Sequence, residues 1–161
     1  MQSNLLDAVR QQPLAILGLI MIDHDTVHFQ SCLECCNAIQ SDAKEPGRIL
    51  AIIHGESKDT SVEAYLRSNQ NIAFIQWRSA ADSIALAKKI SEIKRVHQWG
   101  IVVMGTLGSP WTESIGRLCD KTYLSIPSSS KHSFAKIRKD ILRLRNASVQ
   151  IAGSYIARSA A

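Results

Sequence analysis

Branched apolar residues come in short unbroken runs along this chain, and between the runs apolar positions return every three or four residues. Unbroken runs suit strands covered on both faces, and the longer spacing suits helices with one inward stripe. The pattern predicts strands at Ala15–Ile22, Ile49–His54, Ile72–Trp77, Ile101–Met104, Thr122–Ile126 and Val149–Ile156. Ile72–Trp77 is short enough to be an edge. Helices are predicted at Thr26–Gln40, Ser61–Ser68, Ala81–His97 and Trp111–Cys119, with a short leading one at Leu5–Gln12. Leu86, Ile90, Ile93 and His97 step along one face of the third of these. In a last helix Phe134, Ile137, Ile141 and Leu144 form the inward stripe, and Ser128–Ser130 offer hydroxyls to cap its first amides.

The punctuation agrees with this pattern. Lys44-Glu45-Pro46-Gly47 ends one helix before the next strand, and Gly108-Ser109-Pro110 opens another. Strict alternation of strand and helix implies parallel strands joined by right-handed crossovers. The expected architecture is a three-layer α/β/α sandwich on a mostly parallel sheet of about six strands, P-loop-NTPase-like or Rossmann-like. No linker or repeat divides the chain, so residues 1–161 read as a single α/β domain.

Composition narrows the setting. The longest apolar run, Leu14 to Ile22, is about half of a membrane span, and no basic leader precedes it, so a cytoplasmic protein without a transmembrane segment is expected. Cys32, Cys35 and Cys36 crowd into one predicted helix, poorly placed to bridge, and free thiols are expected there and at Cys119. The net charge of +5 has one address. Lys131 to Arg145 holds six basic residues and Asp140, whereas the rest of the chain has 13 basic and 13 acidic residues. A basic segment on a neutral body argues against general nucleic-acid binding.

Taken together, the strand ends resemble a known family. Ile49-Leu50-Ala51-Ile52-Ile53-His54-Gly55-Glu56 resembles the strand ending in Asp-x-Asp in the Walker-type ATPases that partition plasmids and place division sites. The cytoplasmic domains of bacterial tyrosine autokinases share that pattern. Val102-Val103-Met104-Gly105-Thr106 sits where those proteins have an apolar strand ending in Asp-Thr or Asp-Leu. Gly116-Arg117-Leu118-Cys119-Asp120-Lys121-Thr122-Tyr123-Leu124-Ser125-Ile126 is similar to their arginine-leucine-alanine-aspartate helix and the strand after it. Val149 to Ile156 resembles their last strand.

The departures fall on the chemistry. A phosphate loop needs glycines, so that backbone amides crowd the phosphates, and a lysine for their charge. After the first strand this chain has Asp23-His24-Asp25-Thr26, and only Thr26 could replace the magnesium-binding hydroxyl. His54 and Glu56 replace the paired aspartates, and Gly105 stands where the magnesium-organising acid belongs. Measured against the resemblance, the parts that phosphoryl transfer depends on are gone.

Ligands of open α/β sheets bind at the carboxyl ends of the strands. There the sequence places Asp23, His24, Asp25, Thr26, His54, Glu56, Gln76, Arg78, Thr106, Ser109 and Ser128 to Ser130. Histidine beside carboxylate suits metal ligation or acid–base work, and polar loops facing water have the same composition. His28, Cys32, Cys35 and Cys36 share a helical face, but two turns span about 12 Å, too long for all of them to reach one zinc ion. Packing thiols are the simpler expectation. Lys131, Lys136, Lys139 and Arg143 are candidates for contact with an anion or an acidic partner.

The resulting expectation is a non-catalytic, pseudo-ATPase-like interaction or regulatory domain without cofactor or metal. Its partner would be a protein or a second copy, with polysaccharide export or subcellular positioning as the setting the resemblance implies. Two other functions remain open: an enzyme or ligand-binding domain using the strand ends, and a binder of nucleic acid or anionic lipid through the basic segment.

Overall fold

The computed structural model describes residues 16–22, 26–54, 60–78, 82–128 and 133–157. The strands are β1 (Ile16–Met21), β2 (Gly47–His54), β3 (Ile72–Trp77), β4 (Trp99–Thr106), β5 (Lys121–Pro127) and β6 (Ile151–Ala157). Between them run helices α1 (Thr26–Asp42), α2 (Thr60–Ser68), α3 (Asp82–Val96), α4 (Pro110–Gly116) and α5 (Phe134–Asn146). All pairings are parallel, and the strand order is β3-β2-β4-β1-β5-β6. β3 is an edge, as its length predicts. The leading helix expected at Leu5–Gln12 lies outside the described residues.

Side-chain alternation along the strands builds two cores. Leu17, Leu19 and Met21 point toward α1 and α2, where they meet Phe29, Leu33, Val62 and Leu66. Ile16, Ile20 and Ile22 point the other way, toward Leu86, Ile90 and Ile93 of α3, Ile115 of α4 and Leu144 of α5. β1 is therefore buried along its whole length, which explains its unbroken apolar sequence. Full burial of each aliphatic side chain stabilises by about 1.5–3 kcal/mol. Among the described residues no helix is long and apolar enough to cross a membrane.

Some sequence expectations need correction. Phe134 is 90% exposed and does not belong to the inward stripe of α5, whose fully buried member is Leu144. Ile137 and Ile141 are half-buried against the core. The cap of α5 is Ser133, whose hydroxyl accepts from the Lys136 amide at 3.3 Å, and not the earlier serines. The helix accordingly begins at Phe134. Likewise α4 stops at Gly116, and the chain turns through residues 117–120 before β5.

Two contacts hold the amino ends of the strands. The Ile16 amide donates to Asp120 Oδ2 at 2.6 Å, and the Asp120 amide donates to the Ile16 carbonyl at 2.8 Å. At the start of β2, Gly47 stands in register with Trp99, whose indole lies directly over it and donates to the Glu45 carbonyl at 3.2 Å. A Cβ at Gly47 would sit inside the indole ring. Gly47→Ala should therefore cost about 1–3 kcal/mol, read as a lower urea midpoint with an unchanged slope.

Candidate functional site

Right-handed crossovers send β1 to α1 on one face of the sheet, and β4 and β5 to α4 and α5 on the other. The connections diverge at the carboxyl ends of β1 and its neighbours. Open α/β sheets bind ligands at such a divergence. Here the strand ends are tied together. The Leu107 amide donates to the Met21 carbonyl at 2.7 Å, and the Ile22 amide donates to the Ser125 carbonyl at 3.1 Å.

Beside this seam lies a recess of about 200 Å³ lined by Ile22, Thr106, Leu107, Gly108, Lys136, Ile137 and Asp140. Two candidates from different parts of the sequence, Thr106 and Lys136, meet there. Its charges are mixed, and its volume falls below the ~300–1,000 Å³ typical of ligand pockets.

The loop from Thr106 to Thr112 is satisfied internally. The Thr106 carbonyl accepts from the Ser109 amide at 2.9 Å and from Thr112 Oγ1 at 2.8 Å. Ser109 is the N-cap residue of α4, but its side chain makes no capping bond. Arg143 braces this loop from α5. Its Nε lies 2.7 Å from Glu113 Oε1, and its Nη2 donates to the Leu107 carbonyl at 3.3 Å. The guanidinium thus ties α5 to α4 and the β4 exit.

The remaining candidates disperse. Thr26 opens α1 and is half-buried, and His54 ends β2 opposite Trp77. Lys139 is exposed on α5, outside the recess. At the end of β3, Arg78 donates to Gln76 and to Asp82. Asp23, His24, Asp25, Glu56 and Lys131 lie outside the described residues. Among the described residues, no three histidine, cysteine or acidic side chains are grouped to hold a metal ion.

A buried polar cluster under α1 escaped the sequence analysis. His28 Nε2 and Ser125 Oγ are 2.9 Å apart, and Cys32 Sγ lies 2.9 Å from the Tyr155 hydroxyl. Ser125 also shares hydrogen bonds with Cys32 and Tyr155. Ser125 and Cys32 are fully buried, so no substrate reaches them. The cluster fastens α1 to β5 and β6 with polar groups that satisfy one another. Burial pushes the Cys32 thiol up from 9.0 to about 11 and holds Cys36 well above its ordinary value. Burial, with help from the Asp120 charge, takes Cys119 to about 12. Thiols held protonated in this way are poor nucleophiles and poor metal ligands.

Cys35 is only partly covered. At about pH 8 a thiol reagent should modify Cys35 first and reach the other three only on unfolding. The sign of the shifts also fixes an alkaline limit. Neutral Cys32 stabilises fully below its unfolded value of 9.0, and that stability is lost as pH rises through about 11. A melting temperature that stays flat across this window would contradict the burial.

No protein-family model matches the chain, and no curated protein is similar to it in sequence. Solved structures are similar in fold. The kinase domain of VpsO superposes with a TM-score of 0.68 at 13% identity, covering 97% of this chain and 90% of that one. The kinase domain of the Escherichia coli tyrosine kinase ETK gives 0.62 at 12% identity, covering 99% and 74%. The BceF tyrosine kinase domain gives 0.60 at 14% identity, covering 98% and 72%. At such identities the likeness concerns the fold. The chain has the P-loop-NTPase-like α/β fold of these bacterial tyrosine kinase domains.

Proposed function

We propose that this chain is a non-catalytic relative of the Walker-type ATPases, acting through protein contacts in a larger assembly. The observation that carries this reading is the connection from β1 to α1. β1 ends at Met21 and α1 begins at Thr26, so only residues 22–25 join them. Those residues are Ile22, Asp23, His24 and Asp25. A loop that wraps a triphosphate needs more residues, glycines to bring its amides close, and a lysine. Two carboxylates at this place repel the ligand that such a loop attracts.

The other strand ends support the same reading. A side chain at Gly105 would meet nothing within 4 Å, so there is room for an acid that the sequence does not supply. The recess beside Thr106 is small and of mixed charge, with Lys136 and Asp140 both in its lining. Arg143 bonds with Glu113 and Leu107 instead of standing ready for a phosphate. What stays of the ancestral design is the scaffold and its surfaces. The setting implied by the resemblance is polysaccharide export or subcellular positioning, where such folds regulate assemblies.

Titration calorimetry with magnesium and ATP at millimolar ligand should give no binding heat, and phosphate release should equal the protein-free blank. ATP turnover that Thr26→Ala diminishes would overturn the proposal.

A further inference from the structure

The two edges of the sheet differ in how they face solvent. On β3, Arg67 of α2 lies over the Phe74 ring, 5.5 Å from its centroid. On β6, Ala152, Ser154 and Ile156 are exposed, and the strand carries neither charge nor proline. Its irregularity lies at the start, where the register with β5 shifts after Thr122, and residues 153–157 pair regularly. Edge strands are ordinarily protected by charge, proline or a central bulge. Among the described residues β6 has none of these.

The orientation of the backbone follows from pairing. The Ala157 carbonyl accepts from the Ser128 amide on the β5 side at 3.1 Å. Peptide groups alternate in direction along a strand, so residues 153, 155 and 157 address β5 and those of Ser154 and Ile156 point outward. Beside this edge runs one flank of α5. Phe134, Arg138, Ile141 and Arg145 follow helical spacing and form one stripe. The opposite flank carries Arg143, which meets Glu113 of α4. α4 packs on β4, on the far side of β1 and β5 from β6, so the stripe faces β6. Phe134 is 90% exposed and Ile156 is 49% exposed. Among the described residues, Arg138 and Arg145 pair with no carboxylate.

We propose that the β6 edge, flanked by Phe134, Arg138 and Arg145, takes up an acidic, partly apolar segment of a partner protein as an added parallel or antiparallel strand. The outward peptide groups of Ser154 and Ile156 supply the backbone bonds of such an addition. Alternate side chains of the added strand face α5. These carry the acids that Arg138 and Arg145 receive, their stems lying against Ile156 and Phe134. The apolar side chains between them extend the opposite face of the sheet. Charge selects this occupant: the net +5 of the chain equals the net charge of segment 131–145, which includes the stripe. A second copy added at the same edge would bring its own Arg138 and Arg145 against the first pair. A lipid surface would leave the outward backbone groups unused.

This inference rests on the protein-contact reading and names the partner's chemistry, yet the two fail separately. ATP turnover would sink the inert-relative reading without touching the edge. The test of the edge is an anisotropy titration with a labelled peptide of alternating valine and glutamate. The peptide should bind, its lysine counterpart should not, and Arg138→Glu with Arg145→Glu should weaken binding about ten-fold or more. In the complex the amides of Ser154 and Ile156 should exchange more slowly. Ser154→Pro removes one outward donor, and methylating alternate peptide amides removes the facing donors while leaving the protein unaltered. Both should abolish binding. Equal affinity for the lysine peptide, or unaltered exchange at Ser154 and Ile156 under saturating peptide, would refute the proposal. So would a dimer through β6 that the acidic peptide cannot displace.

Discussion

Parallel strands oblige a sheet to be covered on both faces, and no strand bears that obligation more fully than β1. Every residue from Ile16 to Met21 is buried, with neighbours on both sides and helices above and below. A polar substitution anywhere along it would bury an unpaired group, at a cost comparable with a large part of a domain's net stability. The rest of the architecture hangs from this strand. Its amino end is held by Asp120, and its carboxyl end receives the Leu107 amide and gives its Ile22 amide to β5. The divergence of the connections, and with it the candidate site, is set by where β1 lies in the strand order.

This constraint also explains what the sequence revealed. Burial on both faces forces continuous apolar runs in the inner strands, so these were legible, and Ile72–Trp77 at the edge matches its observed limits. The helices facing the sheet were legible from Leu86, Ile90 and Ile93, all buried in α3. Errors arose where local spacing and tertiary cover diverge. Phe134 fits the stripe of α5 by counting, but it sits in the first turn at the β6 side, where no described element covers it. Three serines before the helix looked like caps, but Ser133 stands at the position from which a hydroxyl reaches the Lys136 amide.

Legibility of the site was more limited. Thr106 and Lys136 lie thirty positions apart and meet only because α5 crosses back over the β4 exit. The cluster of His28, Cys32, Ser125 and Tyr155 gave no local signal, because its hydrogen bonds join positions 97 and 123 apart. The helical spacing of His28, Cys32 and Cys36 did show that they share a face. What it left open was whether that face met a metal or the core, and the tyrosine and serine that meet it come from strands far along the chain. Arg143 looked like a surface cation until Glu113 and the Leu107 carbonyl gave it internal partners.

The likeness to bacterial tyrosine kinase domains lies in the backbone, at identities of 12–14%, and the proposed inertness rests on the few residues that follow β1. Fold and activity separate readily in this way, because the scaffold is held by its two cores and not by the loops above them. The central claim is that the short acidic connection between β1 and α1 holds no polyphosphate. It is tested most directly by a crystal structure grown with magnesium and a non-hydrolysable ATP analogue. The account predicts no phosphate density beside residues 23–26. A triphosphate seated there on backbone amides would contradict it.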